Sequence, residues 1–147
     1  MSDLHIDDFY KDVALIFLRL YASFPRKTIL YVEDITGDDQ PDEFGLHSDR
    51  FQSCFSTMIW LGEQQYLSYQ QTIKQEALDQ VVLTQRGFIL LSSQSDRVDD
   101  ALDNSADDTV APSLQQHSRS HIIQLRQALK SRSSTTIKNC IHYQLSQ

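Results

Sequence analysis

The stretch VVLTQRGFILLSS, residues 81–93, joins a strand to a helix. The β-branched pair Val81 and Val82 favours an extended conformation. Thr84 is a residue type that commonly caps a helix N-terminus, and apolar residues then recur at helical spacing through Leu91. The type of domain in which a strand ends in this way depends on the elements before it.

Four elements are predicted upstream of residue 66. Apolar residues at helical spacing predict a helix over 7–24, which ends because Phe24 precedes a proline. The β-branched and aromatic run 28–32 predicts a strand, followed by one helical turn that Gly37 closes. Ser48 is a suitable N-cap for the next helix, whose apolar face extends to about Gly62.

Two strand-like runs follow, Tyr66 to Ile73 and Ala77 to Thr84, with a hairpin tip at 74–76. This order resembles the winged-helix domain, a helix-turn-helix variant whose hairpin is its wing. The resemblance rests on WLGEQQYL at 60–67 and on VLTQRGFILL at 82–91. It implies an α+β, mainly helical fold over residues 6–93, with a three-helix core and a β-hairpin wing, to which a C-terminal helix in residues 113–147 is added.

The rest of the chain divides by composition. Residues 94–112 are rich in Ser, Asp and Asn, which predicts a flexible acidic linker. Residues 113–147 form a basic C-terminal tail in which 114–130 predicts a helix, while 135–145 fits either a helix or a strand. The apolar stripe of the first of these helices is narrow, close to a heptad seam, and predicts docking on a second subunit or a partner. Its seam residues are Leu114, Ile122, Leu125 and Leu129.

The net charge of −7 is unevenly distributed. Residues 33–49 hold seven acids and no base, whereas residues from 113 onward hold five bases and no acid. Such blocks bear on partners more than on fold. We therefore expect a non-enzymatic regulatory or assembly protein that acts through protein contacts, with a protein partner or a second copy in a homodimer. The expected contact residues are Glu33, Asp34, Asp38, Asp39, Asp42 and Glu43 in the acidic segment, and Arg119, Arg126, Lys130 and Arg132 in the basic one.

The alternative is a dimeric DNA-binding transcriptional regulator, since the winged helix implies a third helix in the major groove. Duplex binding needs positive charge on that face, and Arg50 and Lys74 are the only bases on the expected helix and wing. Side-chain amides and hydroxyls can still read base edges. The expected DNA contacts are Arg50, Gln52, Ser53, Ser56 and Lys74.

Other chemistry is weakly indicated. His117 and His121 have a spacing that can hold a metal, but the glutamate of a zinc-peptidase motif is missing. No glycine-rich phosphate loop or nucleophile elbow occurs. We expect no enzyme activity, cofactor or metal. With no apolar run of bilayer length and no signal-peptide pattern, we expect a cytoplasmic protein that does not enter a membrane.

Overall fold

The computed structural model describes residues 4–93, 121–130 and 134–146. Within these ranges it contains six helices and a small antiparallel sheet, so the α+β, mainly helical class is confirmed. The helices are α1 (Leu4–Ser23), α2 (Val32–Thr36), α3 (Asp49–Glu63), α4 (Gln85–Ser92), α5 (His121–Lys130) and α6 (Ser134–Leu145). The strands are β1 (Thr28–Tyr31), β2 (Leu67–Ser68), β3 (Gln71–Ile73) and β4 (Ala77–Leu83).

Strand β4 lies at the centre of the sheet. It pairs antiparallel with β1 on one side and with β2 and β3 on the other. The first predicted strand-like run is therefore two short strands, and the predicted tip at 74–76 is confirmed. Lys74 and Gln75 both have positive φ, as a tight hairpin turn requires, and the Glu76 N–H donates to Ile73 O at 2.8 Å.

The predicted helix caps are also confirmed. Ser48 Oγ accepts from the Phe51 N–H at 3.2 Å at the start of α3. Thr84 Oγ1 accepts from the Gly87 N–H at 3.1 Å at the start of α4. Each side chain satisfies a backbone donor that the first helical turn leaves without a partner.

Hydrogen bonds join the junction at 81–93 to the loop between α3 and β2. The Thr84 hydroxyl donates to Gln65 O at 2.5 Å, and the Arg86 guanidinium donates to Gln64 O at 2.9 Å. Gly87 packs so closely on Tyr66 that a Cβ atom there would lie 2.1 Å from Tyr66 O. The strand-to-helix junction thus holds α4 against the end of α3.

The core surrounds α1. Its apolar face packs on α3, β4 and α4, and fully buried members include Phe17, Leu30, Met58 and Leu78. Helices α5 and α6 also pack on α1, and Leu125 and Ile141 belong to the same apolar cluster. The run 135–145, which fits two patterns in the sequence, is helical. The predicted linker at 94–112 lies outside the described residues.

Candidate protein-interaction surface

The segment between α2 and α3, residues 37–48, is called here the acidic loop. Asp39 organises its C-terminal end: Oδ1 accepts from the Ser48 hydroxyl at 2.7 Å, and Oδ2 accepts from the Ser48 N–H at 3.2 Å. These hydrogen bonds from Ser48, followed by that from His47, lower the pKa of Asp39. The carboxylate therefore fixes the loop where it enters α3.

His47 connects the acidic loop to two other elements. Its Nδ1 lies 2.8 Å from Asp39 Oδ2, and its Nε2 lies 3.2 Å from Glu76 Oε1 at the hairpin tip. The ring also stacks on Phe51 of α3, with centroids 3.8 Å apart. Hydrogen bonds to Asp39 and then to Glu76 raise the pKa of His47, because both favour the doubly protonated ring. We call Asp39, His47 and Glu76 the histidine tie.

Asp42 shapes the outer part of the loop. Its Oδ1 accepts from the Phe44 and Leu46 N–H groups, each at 2.9 Å, and its own N–H donates to Leu46 O at 2.8 Å. This is a side-chain-stabilised turn of the kind that Asp favours. The turn leaves the Phe44 residue 79% exposed and Leu46 exposed beside it. Two large apolar side chains thus project from an acidic segment, and we call them the apolar pair.

The six predicted acidic contact residues divide into two groups. Asp34 forms an ion pair with Arg19 at 3.2 Å, and Asp39 and Asp42 bind within the loop as described. Glu33, Asp38 and Glu43 are exposed, and no side-chain hydrogen bond or ion pair joins them to the described residues. These three carboxylates are available to a partner, and Glu43 directly precedes Phe44 of the apolar pair.

Arg50 is not presented to solvent as an unpaired cation. Its guanidinium donates to Asp12 Oδ2 at 2.7 Å and to Oδ1 at 2.5 Å, and its Nε lies 3.6 Å from Asp8 Oδ2. The Asp12 side chain is 1% exposed and the Arg50 side chain 31%. Burial raises the pKa of Asp12, although the Arg50 hydrogen bonds act in the opposite direction. The one base of α3 therefore joins α1 to α3 and is neutralised there.

The other predicted DNA contacts lie at the surface. Ser53, Ser56 and Lys74 are exposed, and the Gln52 side-chain amide donates to His47 O at 2.9 Å. Asp49 and Glu63 are exposed at the two ends of α3. The charge of α3 at its surface is consequently negative.

The predicted basic surface is described in part. Arg126 and Lys130 on α5 are exposed, as is Lys138 on α6, whereas Arg119 and Arg132 lie outside the described residues.

The described residues of the predicted dimer seam are covered by the same chain. Ile122 and Leu125 are buried, and Leu129 half-buried, on a helix that packs on α1 and α4 of the same chain. Leu114 lies outside the described residues. The narrow stripe is covered within the chain because α1 offers a second apolar face beside the one that meets α3.

Sequence reasoning did not identify the histidine tie, the apolar pair or the role of Asp12. One signal was present for Asp12, which lies on the apolar stripe of α1 between Phe9 and Val13, where a carboxylate needs a buried partner. His47 offered no comparable signal, since it lies in a loop without periodicity and its contact with Glu76 joins residues 29 apart in the chain. The exposure of Phe44 depends on the turn that Asp42 forms.

Comparisons with protein-family models, with curated proteins and with solved structures found no match to this chain. Among the described residues, no three or more His, Cys, Asp or Glu side chains are grouped as a metal site would require. In the same residues, no helix combines the length and the apolar character needed to cross a bilayer.

Proposed function

We propose that residues 6–93 form a winged helix and that the chain is a non-enzymatic regulatory or assembly protein acting by protein–protein contact. The sheet supports the first part: the strand before α2 and α3 pairs with the second strand of a hairpin that follows α3. This is the order that the winged-helix resemblance implies. The fold alone does not decide the function, which has to be argued from the surface.

The observation that carries the proposal is the apolar pair on the acidic loop. Phe44 is 79% exposed on a backbone turn that Asp42 stabilises, and aromatic side chains are enriched among the anchors of protein interfaces. The carboxylate of Glu43, which directly precedes Phe44, is available for an ion pair, as is that of Asp38 in the same loop. The partner that fits is a protein with an apolar recess bordered by lysine or arginine side chains.

The charge of α3 argues against duplex DNA as the main partner. Phosphate neutralisation supplies most of the non-specific affinity for DNA, and Arg50 is already bound to Asp8 and Asp12. Lys74 is the only base on the hairpin tip. A dimeric DNA-binding regulator would need cations from outside α3 and the hairpin tip, such as Arg126, Lys130 and Lys138, which are exposed on the C-terminal helices. We assign that basic face to a second, acidic protein surface.

A site-specific photo-crosslinker tests the proposal. A photoreactive phenylalanine analogue is placed at position 44 in the full-length chain, and at position 4 as the control, because Leu4 is also an exposed apolar residue. We expect position 44 to give one discrete protein adduct in cells. The adducted protein is then purified and its dissociation constant is measured against wild-type, Phe44→Ala, Glu43→Lys and Leu4→Ala chains.

Phe44→Ala should weaken binding by about tenfold or more, and Glu43→Lys should also weaken it. Leu4→Ala should leave the dissociation constant unchanged. Equal affinity of all four chains would refute the proposed contact. Fluorescence anisotropy with duplex DNA across a salt series tests the alternative function, DNA binding. Tight binding at physiological salt that Gln52→Ala and Ser56→Ala weaken would establish the DNA-binding regulator instead.

A further inference from the structure

A cavity lies where α4 meets the loop between α3 and β2. Its volume is about 470 Å³, within the range of small-molecule sites, and it is lined by Tyr66, Gln85, Arg86, Ile89, Leu90 and Ser93. The wall is mostly apolar, and the Ile89 residue is 51% exposed at its surface. An exposed isoleucine in a concave site loses its contact with water when an apolar ligand enters.

Two hydrogen bonds and a ring contact position Arg86 in this wall. Its guanidinium carbon lies 4.4 Å above the centre of the Tyr66 ring, while Nη1 donates to Gln64 O and Nη2 donates to the Tyr66 hydroxyl at 3.1 Å. A guanidinium carries five N–H donors, and these described contacts use one on each Nη atom. Three N–H donors of Arg86 therefore have no partner among these contacts, and a guanidinium can bind a carboxylate through two N–H groups.

The charge of the wall favours an anion. Arg86 is the one ionised residue among the six that line the cavity, and none of the six is an acid. Tyr66, Gln85 and Ser93 add neutral hydrogen-bonding groups, while Ile89 and Leu90 provide apolar surface.

We propose that this cavity binds a small amphipathic monocarboxylate, with its carboxylate on Arg86 and its apolar body against Ile89 and Leu90. The site is independent of the acidic loop. It lies at a junction of three elements, because the Tyr66 hydroxyl that accepts from Arg86 also lies 3.4 Å from Leu145 O at the end of α6. A ligand here contacts the side chains that join α4 to α3 and α6, as an effector site requires.

The test uses 4-phenylbutyrate as the probe and the ¹⁵N-labelled full-length chain, followed by amide chemical shifts. Three ligands are compared: the carboxylate, its neutral amide 4-phenylbutyramide, and acetate, which has the charge without the apolar body. We expect 4-phenylbutyrate to give saturable shifts at 85–93. The amide and acetate should each bind with an affinity lower by about tenfold or more.

Two variants of one exposed residue make the test specific. Ile89→Glu places a carboxylate in the wall, and Ile89→Gln is its neutral control of the same size. The Ile89 side chain makes none of the hydrogen bonds described for Arg86, and the spectrum without ligand verifies that each variant is folded. We expect Ile89→Glu to bind 4-phenylbutyrate about tenfold more weakly than Ile89→Gln. Absence of shifts at 85–93 in the wild type, equal binding of carboxylate and amide, or equal binding by the two variants would each overturn the assignment.

Discussion

Gly87 shows how one residue sets the close approach of α4 to the rest of the domain. Its helical position would by itself favour alanine, by roughly 0.5–1 kcal/mol. The added Cβ would however lie 2.1 Å from the Tyr66 carbonyl oxygen, a backbone atom that cannot rotate away. The steric cost therefore exceeds the helical gain, and the glycine is required by packing.

We expect Gly87→Ala to lower the free energy of unfolding by about 3 kcal/mol, measured by urea denaturation. The matched control is Gly62→Ala in α3. There the new Cβ meets the edge of the Tyr69 ring at 2.9 Å, and a side chain can move aside. A Gly87→Ala chain as stable as Gly62→Ala would show that α4 shifts without loss of packing.

The ion pair of Arg50 and Asp12 joins α1 to α3. Removing the arginine leaves a carboxylate in a site that is 1% exposed, so Arg50→Met should cost about 3–5 kcal/mol at neutral pH. Since an apolar pair can replace a buried ion pair at little cost, Asp12→Leu/Arg50→Met should be more stable than Arg50→Met alone. Urea denaturation of the two chains measures the difference.

The pH dependence of Arg50→Met follows from the same burial. The pKa of Asp12 is already raised above its usual 3.8, and loss of the Arg50 hydrogen bonds raises it further. The native state then keeps the proton to higher pH than the unfolded state, so stability falls as pH rises from about 3.8 through the native pKa. An Arg50→Met chain with the same stability loss at pH 4 and pH 7 would contradict this account.

At the scale of elements, the histidine tie links the acidic loop to the hairpin. The pKa of His47 is raised from 6.5, so its contribution is complete below that pH and is lost as pH rises through the native pKa. The pKa of Asp39 is lowered from 3.8, so its contribution is complete above that pH and is lost on further acidification. The histidine tie therefore stabilises the fold most between pH 3.8 and pH 6.5.

We expect the His47 ring to titrate above 6.5 in a proton NMR experiment, assigned with a His47→Gln chain. Asp39→Asn should lower the midpoint, because Asp39 provides the larger of the two stabilising hydrogen bonds. The neighbouring substitution Asp38→Asn removes the same charge from a side chain with no described contact and should change the midpoint less. Equal shifts from both substitutions would show that general loop charge, not the tie, governs His47.

Elements governed by local rules could be predicted from the sequence, and those governed by distant contacts could not. The caps Ser48 and Thr84 act within one helical turn, and their positions were correct. By contrast, the sequence of residues 135–145 fits a helix and a strand equally well. The helix α6 forms there with its apolar face packed on α1, a contact that the local sequence does not encode. Within the candidate surface, the acids could be identified by composition, but the contacts of Asp39 with His47 and Ser48 required the fold.

The residues that the structure describes share one apolar core, which α5 and α6 complete. Ile122 and Leu125 from α5 and Ile137 and Ile141 from α6 are buried in the cluster that contains Phe17 of α1. A truncation after residue 93 would therefore uncover apolar surface of α1 and α4 as well as remove basic side chains. Deletion experiments on this chain confound binding with stability, and point substitutions separate the two.

We expect Ile141→Ala to lower the free energy of unfolding by about 2–5 kcal/mol, since it leaves a cavity in a fully buried site. Trp60 is the single tryptophan and packs edge-to-face on Phe9 at 5.4 Å, at the contact of α1 and α3. Its fluorescence therefore reports on unfolding away from α6. If the core is continuous, Ile141→Ala lowers the urea midpoint seen by Trp60 and by far-ultraviolet circular dichroism equally.

The control is Lys138→Ala, on the exposed face of the same helix. Its free energy of unfolding should stay within about 0.5 kcal/mol of the wild type. A Trp60 midpoint that Ile141→Ala leaves unchanged would show that the C-terminal helices unfold as a separate unit.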